Sequence, residues 1–219
     1  MAPFEIGETA LVVEVPSAEP LVRGLRERYD SSAAYGMPAH VTVLYPFLPR
    51  ERLDDGVLAA LRDLFAARRP FQVAFGGVGR FPGVLHLAPE PDDPLRKLTE
   101  AAVGRWPEAP PYGGRFGDVV PHLTVAEGPG GEVSGEAVAG VAADLAAGLP
   151  ITTLVSGVTL RVFGGENRRA EGFDTVAQWR AAHERFWTGP EMSAALRGPP
   201  VIDDDTLIVA ERFRLRGLL

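Results

Sequence analysis

Two histidines open the same short pattern, His40-Val41-Thr42-Val43 and His122-Leu123-Thr124-Val125. Side chains alternate between faces in an extended segment, so each histidine shares a face with the threonine two places on. An imidazole with an ordinary pKa near 6.5 is either neutral or protonated around neutral pH, so a pair can supply one group that takes a proton and one that gives it. Those two transfers are what phosphodiester cleavage, or hydrolysis of a cyclic phosphate, requires. The threonine hydroxyl, about 6–7 Å along the strand from its histidine, can donate to a phosphate oxygen held between the two segments. One His-x-Thr in a strand is ordinary, because β-branched threonine favours strands anyway. Two copies among only 4 histidines, at matching places in a repeated order of elements, point to chemistry. The scheme needs no cofactor, and a chain with no cysteine and no HExxH spacing offers no good metal set.

The flanking residues indicate what positions these side chains. Residues 9–15 (TALVVEV) form a β-branched run, and Pro16-Ser17 then opens a helix through Leu21, Val22, Leu25 and Tyr29. The strand HVTVLY follows, with Val41, Val43 and Tyr45 on the face opposite His40. Asp54 or Asp55 caps a helix whose buried stripe is Val57, Leu58, Leu61, Leu64 and Phe65, stopped by Pro70. Strands FQVAF and VLHLA, a helix over 93–106, a Pro/Gly loop and the strand PHLTVAE come next. The order then repeats: a Gly-rich turn, a helix near 135–147, Pro150 and a strand. AHVTV (39–43) matches PHLTV (121–125), and FQVAFGGV (71–78) matches ITTLVSGV (151–158). A degenerate internal duplication with a pseudo-twofold α+β fold is the expectation.

The paired motifs resemble those of the 2H phosphoesterase superfamily, which includes 2′-5′ RNA ligase-like and cyclic phosphodiesterase proteins. MPAHVTVLYPF, VGRFPGV, RWPEAPPYGGRF and DVVPHLTVAEG are similar to its 2′-5′ RNA ligase branch over residues 1–163. The resemblance implies a bilobal fold with two antiparallel sheets flanking a central cleft, and helices outside. It also implies that His40 and His122 are general base and general acid and that Thr42 and Thr124 hold phosphate. Substrates would be RNA ends or nucleotides with a 2′,3′-cyclic phosphate or a 2′-5′ linkage, with hydrolysis commoner than ligation. Many relatives carry a basic residue just past the second motif, where this chain has Ala126-Glu127-Gly128. With a net charge of −7, that departure favours a small nucleotide over a long polyanion. The alternative is a non-catalytic nucleotide or RNA-end binding module using the same cleft.

Tyr45, Phe47, Phe81 and Tyr112 could stack on a base, and Arg80 and Arg115 could meet phosphate. Packing explains the aromatic residues as well, and exposed arginines are common. His86, between Leu85 and Leu87 and lacking a threonine two places on, reads as structural. His183, on one face with Trp179, Phe186 and Trp187, reads as packing, and the acidic run 203–205 as a solvated turn.

From 164 the texture changes. FDTVAQWRAAHERFW followed by DDDTLIVAERFRL resembles the C-terminal half of an ASCH domain, a small β-barrel module proposed to bind RNA. Half a barrel leaves unpaired edges, so residues 164–219 are expected to dock on the body. TLIVAERFRLRG resembles the strand on which close relatives end, which implies that residues 207–215 supply the closing strand of a sheet and 164–204 form a helical insertion. With 219 residues, 46% of them hydrophobic, the chain can bury a core without disulfides, and the absence of cysteine suits the cytoplasm. No apolar run approaches the roughly 18 residues of a membrane span. A soluble monomer is expected.

Overall fold

A computed structural model describes residues 7–34, 36–127, 142, 145–163 and 208–217. The strands are β1 (Thr9–Glu14), β2 (His40–Leu44), β3 (Phe71–Phe81), β4 (Val84–Glu90), β5 (Leu123–Glu127), β6 (Ile151–Val155), β7 (Gly157–Val162) and β8 (Ile208–Arg214). The helices are α1 (Glu19–Tyr29), α2 (Ser31–Ala34), α3 (Asp55–Ala66) and α4 (Asp93–Arg105). Asp54 is the residue that caps α3, accepting from the Val57 N–H at 2.8 Å. The helix expected near 135–147 falls largely outside the described residues, as do the helical part of the tail, His183 and residues 203–205.

The strands hydrogen-bond in the order β6-β3-β4-β5-β2-β1-β7-β8, each pairing antiparallel. Two four-stranded halves meet where β2 lies beside β5, and among the described residues a single pair, Val41 with Leu123, bridges them. The two expected sheets are therefore halves of one ladder, hinged at the strands that carry the two motifs. A half-turn about that hinge exchanges β5 with β2, β4 with β1, β3 with β7 and β6 with β8.

β6 and β7 are separated in sequence by Ser156 alone, yet they lie towards opposite ends of the ladder, so the sheet must curl until its rims meet. The single strand expected after Pro150 is thus two. At the meeting point Arg212 donates to Ser156 Oγ at 3.0 Å, Leu215 N–H to Ser156 O at 3.0 Å, and Gly217 N–H to Arg68 O at 2.8 Å. β8, from the stretch expected to close a sheet, pairs with β7 from Gly157–Arg214 to Val162–Ile208.

One face of the ladder carries the main core, with Leu11, Val13, Val41, Val43, Leu85, Leu87, Leu123 and Val125 meeting Val22, Leu61, Phe65, Leu95 and Leu98 of the helices. The helices are exchanged between halves. α1, which follows β1, lies on β5, while α4, which follows β4, lies on β2 and donates from Thr99 Oγ1 to Val43 O at 2.8 Å. Alternation sends the intervening side chains to the other, inner face, where a smaller cluster of Ala10, Val12, Met37 and Phe163 lies. A bulge in β3 between Phe75 and Gly77 shifts its alternation, so Val73 and Phe75 face the core while Gly79 and Phe81 face inward. Among the described residues no helix is long and apolar enough to cross a membrane.

Candidate active site

Val41 and Leu123 point into the core, so His40, Thr42, His122 and Thr124 all point to the inner face. The antiparallel register through Val41 and Leu123 sets His40 abreast of Thr124 and Thr42 abreast of His122. All four are half-buried. Each histidine is fixed in the same way: Nδ1 meets the carbonyl two residues back, Pro38 O for His40 and Val120 O for His122, at 2.7 Å in both. With Nδ1–H as donor, Nε2 carries the lone pair of the neutral ring and is the nitrogen left for chemistry.

The two surroundings differ. Burial pushes His40 down to about 4, helped by the nearby Arg26 and Arg161 guanidinium groups and opposed by the Pro38 hydrogen bond and Asp30. Arg26 is itself buried in α1, bonded through Nε to Asp30 at 2.8 Å and through a terminal nitrogen to Ser32 Oγ at 3.2 Å. Glu19, 3.9 Å from Arg26, accepts from the Ala39 N–H at 2.6 Å, so this charged cluster also anchors the residue preceding His40. Arg161 is paired with Glu14, the β1 residue that lies opposite His40. His122 is also lowered by burial, but no cation contributes. Among the described residues no three His, Cys, Asp or Glu side chains gather as a metal set.

The family model described as the 2′-5′ RNA ligase superfamily matches residues 13–167, well over half of the chain. The chain belongs to that superfamily. Solved structures similar to it include a phosphoesterase at 16% identity and TM-score 0.46, covering 72% of this chain and 88% of its own. E. coli LigT complexed with 3′-AMP is similar at 15% and 0.47, with coverage of 72% and 88%. TT0787 of Thermus thermophilus is similar at 20% and 0.45, with coverage of 70% and 87%. No curated protein matches the sequence.

Beside the two His-x-Thr segments, the structure sorts the other candidates. Tyr112 comes to the site: burial raises its pKa, and an interaction with the Thr42 side chain opposes that rise. Its backbone is left-handed, φ 52 and ψ 32, and its N–H donates to Tyr45 O at 2.6 Å. Tyr45 braces that loop, with its hydroxyl donating to Glu8 at 2.6 Å and its ring edge-on to Phe163. Phe81 lies at the second motif, 5.0 Å from His122 between ring centres. Two expectations are corrected. Phe47 is 5% exposed and packs on Trp106 in the main core, so it offers no face to a base. Arg80 alternates with Gly79 and Phe81 and so leaves the strand away from the inner face. His86, expected to be structural, lies with its ring centre 5.3 Å from that of His122. Arg115 is exposed at the end of the Tyr112 turn.

Sequence reasoning passed over Arg26, Arg161 and the site placement of His86. The signal for His86 was present: between Leu85 and Leu87, both core residues, alternation alone sends it to the face that bears the motifs.

Proposed function

We propose that this chain is a metal-independent phosphodiesterase that hydrolyses 2′,3′-cyclic phosphate or 2′-5′-linked nucleotide ends by two-histidine acid/base catalysis. The observation that carries this reading is the matched fixing of His40 and His122 by Nδ1–carbonyl bonds, which leaves both Nε2 atoms on the face shared by Thr42 and Thr124. Superfamily membership supports the phosphoester chemistry.

His40, kept neutral by burial and by its cationic neighbours, suits the base. In hydrolysis of a cyclic phosphate, His40 Nε2 takes a proton from water as the water oxygen bonds to phosphorus. The P–O bond to one ribose oxygen breaks, and that oxygen receives a proton from His122. Thr42 and Thr124 donate to the non-bridging oxygens, where negative charge gathers. Tyr112 holds Thr42 in place, and Phe81 offers a ring beside the second motif. The chain's charge of −7 favours a small nucleotide over long RNA.

The test is hydrolysis of 2′,3′-cyclic mononucleotides and 2′-5′ dinucleotides with a chelator present, alongside His40→Ala and His122→Ala. The expected result is turnover that survives the chelator and falls by about 10²–10⁴-fold in each variant. Wild-type binding without turnover on any member would favour the non-catalytic binding module instead.

A further inference from the structure

The halves are related by a half-turn, but their inner walls are not alike. Across β4 and β5, His86 pairs with Thr124; at the equivalent place across β1 and β2, Val12 pairs with Thr42. One strand further out, Gly79 pairs with His86 where Thr159 pairs with Val12. A Cβ at Gly79 would collide with the His86 imidazole, so the chain gives up a side chain there to seat that ring. The ring stacks on Phe81 at 4.2 Å and 20°, and both rings meet His122, Phe81 at 5.0 Å and 84° and His86 at 5.3 Å and 64°. His86 is 5% exposed, and its Nδ1 is buried with no hydrogen-bond partner among the described residues. Valine serves at the equivalent place, so packing does not require an imidazole, and a buried polar atom without a partner calls for a functional account.

We propose that His86 is a positioning residue for His122: seated on Gly79 and stacked on Phe81, it completes an aromatic clamp that sets the plane and the proton affinity of the second-motif imidazole. The proposal rests on the reading of His122 as a working acid and adds what makes it differ from His40. The His122 Nδ1 bond to Val120 O fixes one end of the ring, and the clamp closes the side facing β3 and β4. Of the described groups packed there, Phe81 and Gly79 on β3 carry no charge, and His86 on β4 is the titratable one. Burial and the neighbouring His122 keep His86 neutral down to about 4, so it bears on His122 by excluding water rather than by charge. The titratable groups that bear on His40, namely Arg26, Asp30 and Arg161, belong to the other half.

The experiment follows the imidazole ¹H–¹⁵N signals of His122 and His40 against pH in the wild type, His86→Val and His86→Phe, with melting temperature and, on a panel substrate, kcat and KM. In His86→Val the smaller side chain opens the clamp to water and relieves the burial that lowers His122, so the His122 titration is expected to move up while that of His40 stays. Its kcat should fall about tenfold or more, with KM changed less than about threefold. His86→Phe, which keeps the stack on Phe81, should recover most of kcat. A His86→Val protein with a lower melting temperature but wild-type His122 titration and kcat–pH profile overturns the proposal. The imidazole spectra need no substrate, so a chain inert towards the whole panel would sink the proposed function while leaving this test intact.

Discussion

Tyr112 reaches the Thr42 side chain from a left-handed backbone, φ 52 and ψ 32, in the loop between α4 and β5. For a residue with a bulky side chain that conformation costs about 1–3 kcal/mol and persists where the surroundings impose it. Here the Tyr45 carbonyl holds the Tyr112 N–H, so a strained turn sets Tyr112 beside Thr42, the hydroxyl proposed to hold phosphate. Tyr112→Phe removes the hydroxyl that interacts with Thr42 and keeps the ring. A loss of about 0.5–1.5 kcal/mol is expected, read as a roughly 2–10-fold drop in kcat/KM with melting temperature nearly unchanged.

Activity should peak on the acid side of neutrality. His40 must be neutral as base and His122 protonated as acid, and both are lowered, His40 to about 4. A bell-shaped kcat/KM profile is expected, rising through about 4 and falling before the ordinary histidine value of about 6.5. A profile still rising at pH 8 contradicts the assignment of His40 as base and His122 as acid.

Stability should follow the same groups with a definite sign. His40 and His86 are both lowered to about 4, so the unfolded chain binds more protons than the folded one below the ordinary value. Their contribution is complete above about 6.5 and is lost as pH falls towards 4. Urea midpoints at pH 7, 5.5 and 4.5 should decline in that order, and a combined His40→Ala/His86→Val protein should show a shallower decline.

Arg26→Met leaves Asp30 buried without its cation. Breaking a buried pair costs about 3–5 kcal/mol. Arg26 and Asp30 side chains are 1% and 2% exposed, so the full penalty is expected in urea unfolding. The His40 titration should also rise, because a neighbouring cation is gone.

Phe213 ties β8 to the body, 1% exposed and with its ring centre 6.0 Å from that of Phe65. Phe213→Ala should destabilise by about 3–5 kcal/mol. The protein that remains folded should keep wild-type kcat, since neither ring lies on the inner face.

The four motif side chains were legible because alternation in a strand fixes which residues share a face, and the duplication set the two strands in equivalent places. The helix over 55–66 was legible from its cap and stripe. What escaped depends on register and on contacts between distant segments. Nothing local says that β3 slips by one residue after Phe75, turning Arg80 outward and Phe81 inward. Arg26 was hidden because a helix position next to Leu25 reads as a wetted cation, and its burial is decided by Asp30 and Ser32 in the turn that follows. The exchange of α1 and α4 between halves likewise has no signature in either helix alone.

Ser156 ties the two ends of the curled sheet together. The halves share a one-pair hinge at β2 and β5, and at the far rim the chain passes from β6 to β7 through this single residue, which the end of β8 also grips. A clamshell riveted at both its hinge and its lip has little travel. Its aperture is a property of the curled sheet, so under the proposed function a nucleotide would be admitted by gauge, and selectivity should respond to changes at the rim that never touch the substrate.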